Sequence, residues 1–184
     1  EKKEKILIFG DYDVDGITSS SLVMTAMLPL GANVNFFLPN RARDGYGLST
    51  KVVERAAANG YTVIMTVDNG TTAFAPSARA KELGIDVIIT DHHRPHGKVP
   101  DVFALVNPHQ HDCHYPYKYF AGVGVAFKLM SLLYQEKNME LIKFYLDSLV
   151  GLKLMAEMKY PFQKARPIPT SITRHVLLNP VKRQ

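Results

Sequence analysis

The chain has 184 residues, 46% of them hydrophobic and 21% charged, which is ordinary globular composition and enough for one domain with a core. Its formal net charge of +5 favours polyanionic partners such as nucleic acid without by itself selecting one. No apolar run approaches the roughly 20 residues that span a bilayer, Glu1-Lys2-Lys3-Glu4-Lys5 leads into no signal-peptide core, and the lone Cys113 rules out an internal disulfide, so no membrane partner and a cytoplasmic location are expected.

Lys5-Ile6-Leu7-Ile8-Phe9-Gly10 is a short apolar run closed by glycine, the pattern of a buried parallel strand. Directly after it, Gly10-Asp11-Tyr12-Asp13-Val14-Asp15-Gly16 sets aspartates at alternate positions. In open α/β sheets ligands collect outside the carboxyl ends of strands. Carboxylates crowded there repel one another and acquire raised pKa values unless a cation sits among them. Hard cations held by oxygen ligands answer that problem. An EF-hand also uses D-x-D-x-D-G, but it needs a helix before the loop and a glutamate at its twelfth position. Here a strand precedes, and the twelfth residue is Leu22. The remaining alternative is a solvated turn with a helix N-cap.

A helix follows over Ile17 to Leu30, then a strand over Val34 to Leu38 and a loop containing Arg41 to Leu48. Lys51 to Asn59 is Ala-rich and closed by Gly60, a helix stop. Thr62 to Val67 is the next strand, and Asp68-Asn69-Gly70 repeats the acidic strand end. Asp68 fits either a metal-bridging carboxylate or an Asx turn capping the helix that starts near Ala73. That helix runs to Leu83 before Gly84. The strand Asp86 to Thr90 then ends in Asp91-His92-His93. Imidazoles bind Mn²⁺ or Zn²⁺, and an adjacent carboxylate fixes their tautomer. Three such strand ends point to a dinuclear site, in which one metal acidifies a bound water and both clamp phosphate oxygens.

A loop rich in proline and histidine covers Arg94 to Tyr119 and encloses a short strand, Ala104-Leu105-Val106. Helices are expected over Gly122 to Gln135, Met139 to Leu146 and Leu149 to Met158, followed by an irregular tail from Tyr160. Alternating strands and helices predict an α/β fold, a parallel sheet flanked by helices, with a helical region and irregular tail at the C-terminal end. Residues 1–147 are expected to form the catalytic domain, and 148–184 an incomplete remainder.

GDYDVDG, VDNG and DHH, in this order and spacing, resemble the DHH phosphoesterase superfamily. Arg41-Ala42-Arg43-Asp44-Gly45-Tyr46-Gly47-Leu48 resembles the R-x-x-(D/E)-G-Y-G-L loop of its RecJ-type branch. Asn107-Pro108 through Cys113, Tyr115-Pro116 and Ala121-Gly122-Val123-Gly124-Val125-Ala126-Phe127 resemble that branch's N-P…C-x-Y-P…A-G-V-G-V-A-F stretch. The resemblance implies a single-stranded-DNA exonuclease using two divalent ions, Mn²⁺ or Mg²⁺, with a single-strand-binding protein or helicase as candidate partners. It implies metal ligands at Asp13, Asp15, Asp68 and His92, with Asp68 bridging and Asp11 a ligand or a support to that cluster. His93 would face the scissile phosphate, and Arg41, Gly45 and Tyr46 would lie near the strand. Gly122 and Gly124, at a helix start, would offer N–H groups to phosphate, or else serve close packing of that helix on the sheet. Lys51, Arg55, Lys118 and Lys128 are candidate cations for the DNA backbone by proximity to these loops.

One part of the pattern is missing. The family carries another metal-binding aspartate in an L-G-T-x-A-D motif, absent here. Either Leu149 to Glu157 is a degenerate copy with Glu157 as the carboxylate, or the ligand-bearing segment is missing after Asp147. Val150-Gly151-Leu152-Lys153, which resembles a later family helix, favours the second. The expectation is weak activity, a start cut close to the first strand, and a second domain beyond this sequence. Two other functions stay open: hydrolysis of a small phosphate substrate such as a cyclic dinucleotide or short oligonucleotide, and a non-catalytic scaffold in replication.

Overall fold

The computed structural model describes residues 4–40 and 44–137. The helices expected at 139–146 and 149–158, the tail, Arg41, Asp147 and Glu157 all lie outside the described residues.

Five strands form one parallel sheet in the order β2-β1-β3-β4-β5: β1 (Lys5–Phe9), β2 (Asn33–Phe37), β3 (Val63–Val67), β4 (Asp86–Thr90) and β5 (Ala104–Val106). Between them lie α1 (Val14–Met27), a 3₁₀ turn (Leu28–Leu30), α2 (Thr50–Ala58) and α3 (Phe74–Glu82), and α4 (Gly122–Glu136) follows β5. The chain leaves β1 outward to β2, then returns past β1 to β3. The reversal therefore falls between β1 and β3, where an open parallel sheet forms its ligand crevice.

The central strands β1, β3 and β4 are covered on both faces, which is why their sequences run almost continuously apolar. On one face Ile8, Met65 and Val67 pack against Leu22, Val23 and Ala26 of α1 and Val123, Ala126 and Met130 of α4. On the other, Leu7, Phe9, Ile64, Val87 and Ile89 pack against Val53 and Ala56 of α2 and Ala80 of α3. Successive strand residues alternate between the two clusters, as the pleat requires.

Helix α1 starts three residues earlier than its apolar spacing suggests. Asp13 caps it, its carboxylate accepting the Gly16 N–H at 2.9 Å. Asp15 is thereby drawn out of the loop and into the first helical turn. The chain folds back tightly enough that a Cβ on Gly16 would fall 2.4 Å from the Asp11 backbone.

Candidate metal centre

Register builds the site. Phe9 pairs with Thr66, and Val67 with Thr90, so the residues just past β1, β3 and β4 emerge level along one edge of the sheet. The ladder continues past the strands: Asp68 N–H donates to the Thr90 carbonyl at 2.9 Å, and Asp91 N–H to the Val106 carbonyl at 3.0 Å. Neighbouring strands are about 4.8 Å apart, close enough for carboxylates on adjacent strand ends to share a cation.

Among the described residues, two groups of side chains could hold a metal ion: Asp11, Asp13 and Asp68, and Asp68, His92 and His93, with ligand atoms within 4.8 Å of one another in each group. Asp68 belongs to both. It is 2% exposed, and its φ of +63° is the only positive value on a non-glycine among the described residues. That conformation costs an aspartate less than most residues but is still a local strain. His92 Nε2 lies 3.1 Å from Asp68 Oδ1, an ionic contact without hydrogen-bond alignment, so this buried oxygen has no properly aimed donor. Burial, reinforced by the charges of Asp15 and Asp13 against the opposing pull of His92, raises the Asp68 carboxyl to about 6. Asp11, 3% exposed, is also pushed up, first by burial and then by Asp13 and Asp91. Both shifts reflect negative charge assembled where a cation would relieve it. The Asx-turn alternative for Asp68 fails, since α3 receives no side-chain cap.

Asp91 does something different. One oxygen accepts the Thr71 N–H at 2.9 Å; the other accepts the His92 N–H at 2.7 Å, the His93 N–H at 3.1 Å and faces His93 Nδ1 at 2.7 Å. Burial opposes its charge, yet these bonds from the His93 ring and from Thr71 outweigh it and hold the carboxyl at about 2. Asp91 is therefore ionised, which assigns the Nδ1 proton to His93 and leaves Nε2 pointing away from Asp91. The same contact raises the His93 pKa, and Asp68 raises that of His92.

The expected residues are thus sorted. Asp11, Asp13, Asp68, His92 and His93 converge. Asp15 lies outside these two groups, and its two oxygens accept the N–H groups of Gly122 at 2.6 Å and Val123 at 2.9 Å. Its place in the first turn of α1 carries it toward the α4 N-terminus, where a carboxylate is favourable, although His92 Nε2 remains 3.7 Å away. Gly122 and Gly124, for which phosphate contact and close packing are both expected, have their N–H groups engaged within the protein. The first N–H goes to Asp15 and the second to the Ala121 carbonyl at 2.9 Å. Close packing is what these glycines serve, since a Cβ on Gly122 would sit 2.4 Å from Asp68 Oδ1.

Gly45 and Tyr46 lie on an exposed loop. Partial burial and then the charges of Asp11, Asp91, Asp68 and Asp13 push the Tyr46 phenol up to about 12. Of the candidate cations, Lys51 is exposed and Arg55 lies over the Phe37 ring at 5.3 Å. Lys118 is spent on the carbonyls of Pro108 and Cys113 at 2.6 and 2.7 Å, and half-buried Lys128 has its pKa lowered by burial.

Sequence reasoning missed the supporting residues Asn69, Asn107 and Thr71. Asp91 holds the His93 ring as expected of the carboxylate beside the imidazoles. Asn69 bonds the Val67 carbonyl at 2.9 Å and reaches that of Phe9 at 3.4 Å, tying the ends of β3 and β1 together. Asn107 donates to Thr71 Oγ1 at 2.9 Å and to the His93 carbonyl at 2.8 Å, bracing the turn that carries the imidazoles.

Fold and rim together define a doubly wound α/β domain whose carboxylates and imidazoles form two groups, with Asp68 in both, that could each hold a metal ion. The chain belongs to the DHH family: the family's N-terminal domain matches residues 5–151. It is similar to the single-stranded-DNA-specific exonuclease RecJ of Bacillus subtilis (strain 168), 48% identical over 141 residues that cover 77% of this chain and 18% of that protein. It is likewise similar to RecJ of Escherichia coli (strain K12), 49% identical over 130 residues, 70% of this chain and 22% of that protein. Among solved structures, exonuclease RecJ bound to manganese superposes with a TM-score of 0.75 at 31% identity, covering 85% of this chain and 40% of that one. RecJ from Thermus thermophilus in complex with Mn²⁺ gives 0.63 at 30% identity, covering 75% of this chain and 19% of that one. The chain spans about a fifth of the length of the curated relatives it matches.

Proposed function

We propose that this chain is the catalytic domain of a metal-dependent phosphodiesterase, a RecJ-like exonuclease that degrades single-stranded DNA from 5′ to 3′ in recombination and repair. The observation that carries the reading is Asp68: buried, held in a left-handed conformation, lacking an aimed donor on one oxygen, and common to both donor groups. The donor set fits Mn²⁺ or Mg²⁺, with hard carboxylate oxygens throughout and imidazole on one side. When bound, such an ion pair supplies charge neutralisation at the phosphate and an acidified water.

Asp13, Asp15, Asp68 and His92 would hold the ions, with Asp68 common to both and Asp11 a further ligand or a support to the cluster. Asp15 also ties the α4 N-terminus, and with it Gly122, against Asp68. His93 keeps Nδ1 on Asp91 and turns Nε2 to the phosphate, where it stabilises charge or gives a proton to the leaving oxygen. Gly45 and Tyr46, with Arg41 ahead of them, would flank the strand. Similarity to relatives named as single-stranded-DNA-specific exonucleases supports the substrate. A single-strand-binding protein or helicase would present it in the cytoplasm. No helix among the described residues is long and apolar enough to cross a membrane. The domain is taken to end near residue 147, with 148–184 leading on from it.

The test is release of nucleotides from a long 5′-phosphorylated single strand in Mn²⁺, set beside the same sequence as a duplex and beside a dinucleotide. Single-strand shortening abolished by a chelator is expected, at a slow rate because the L-G-T-x-A-D motif is absent from this sequence. Hydrolysis of the dinucleotide alone would transfer the site to small phosphate substrates. No saturable Mn²⁺ binding would leave only a scaffold.

A further inference from the structure

Tyr119, near the end of the β5–α4 loop, is 76% exposed, the largest exposure of any large apolar or aromatic residue described. A single exposed tyrosine is ordinary; this one is the outer rung of a fixed aromatic ladder. Its ring meets Tyr117 edge-on, with centroids 6.0 Å apart and planes at 72°. Tyr117 in turn meets Phe120 edge-on at 4.9 Å, and Tyr115 contacts Phe120 at 5.6 Å. Phe120 is 7% exposed and packs so closely on α4 that a Cβ on Gly124 would lie 2.9 Å from its ring. The loop before it is braced by Lys118, which binds the carbonyls of Pro108 and Cys113.

The ladder is also anchored to the acidic rim. Tyr119 is three residues from Gly122, a separation of at most about 11 Å along the chain. Gly122 is the residue against which Asp68 packs, with no room for a Cβ between them. A nucleic-acid strand whose phosphate sat at Asp68 and His93 would have neighbouring bases within reach of Tyr119. Stacking on an aromatic face is indifferent to base identity and suits an enzyme that processes any sequence. A ring already held by its neighbours loses little freedom when a base settles on it.

We propose that Tyr119 is a stacking platform for a nucleobase adjacent to the scissile phosphate, an inference that rests on the nucleic-acid reading of the metal centre. It is tested on the full chain with a dye-labelled, phosphorothioate-linked oligothymidine and its abasic counterpart in Mn²⁺, following binding by fluorescence anisotropy. Tyr119→Ala should weaken binding of the intact strand roughly 5- to 150-fold while leaving the abasic strand's affinity unchanged, and Tyr119→Trp should restore it. Mn²⁺ affinity measured by calorimetry should be the same in all three proteins. Equal losses on both strands, or no loss on either, overturn the stacking role. If the unsubstituted chain shortens the strand yet does not distinguish intact from abasic DNA, only this inference falls. If it binds neither Mn²⁺ nor DNA, the phosphodiesterase reading falls and takes this one with it.

Discussion

The two faces of the sheet are equally apolar but differently wired. On the α2–α3 face, Val53, Ala56, Ile64, Ala80 and Ile89 form a core bridged at the surface by the exposed ion pair of Arg79 with Glu54 at 3.0 Å, beside the pair Arg79 makes within its own helix with Glu82 at 2.8 Å. Such pairs contribute little. On the α1–α4 face, buried polar links run through the core to the rim: Tyr134 donates to the Ala26 carbonyl at 2.7 Å, Asp15 clasps the start of α4, and Gly122 rests on Asp68. One face holds the sheet together. The other also sets where the carboxylates stand, so a packing change there should be felt as chemistry.

The largest effect should come from the residue that both donor groups share. Asp68→Asn is expected to weaken Mn²⁺ binding by more than about a hundredfold, beyond the range typical of residues that only orient ligands, and to bring strand cleavage to background. Folding should not suffer. The raised pKa of Asp68 favours the metal-free fold below the ordinary aspartate range, and that contribution is lost as pH rises through about 6. At pH 8 the neutral amide should therefore leave urea stability unchanged or higher. A collapse in stability at that pH would contradict the electrostatic account.

Gly122→Ala probes the wired face by volume alone. Its methyl group can be accommodated only by moving α4 off Asp68, at a cost of about 1–3 kcal/mol. Mn²⁺ affinity should fall roughly 10- to 100-fold with it. Stability lost without any loss of metal affinity would uncouple the face from the rim.

Asp91→Asn should lower cleavage about 10- to 100-fold through misorientation of His93. Because Asp91 holds the His93 pKa up, the amide should also move the alkaline limb of the pH–rate profile to lower pH. A purely structural role for Asp91 would lower the rate at every pH alike.

The smallest effect on the site should come from the other face. Val53→Ala, at a fully buried position of that core, should cost about 1–3 kcal/mol in denaturant unfolding and leave Mn²⁺ affinity where it was.

Most of this organisation is legible in the sequence. Asp86–Thr90 and Ala104–Val106 are bounded to the residue, because each holds a short uninterrupted apolar run set between loop residues. The three acidic strand ends are legible for the same reason, each following such a run. The start of α1 is not, since Asp13 and Asp15 can serve a loop or a helix equally well until a cap is seen to form. The role of Asp15 stays hidden with it, because its partners lie more than a hundred positions along the chain. Gly122 carries its signal in plain view, but sequence cannot distinguish a glycine that offers its N–H from one that merely yields space. Thr71 and Asn107, and Asn69 in its reach to Phe9, act through groups brought near by the sheet, and no local pattern marks them.

The most direct test is a calorimetric Mn²⁺ titration of the unsubstituted chain, Asp13→Asn and Asp68→Asn. Two ions per chain are expected, with one weakened by the Asp13 change and both by the Asp68 change. A single ion in the unsubstituted protein, or one ion bound at full strength after Asp68 is replaced, would show that no carboxylate is shared.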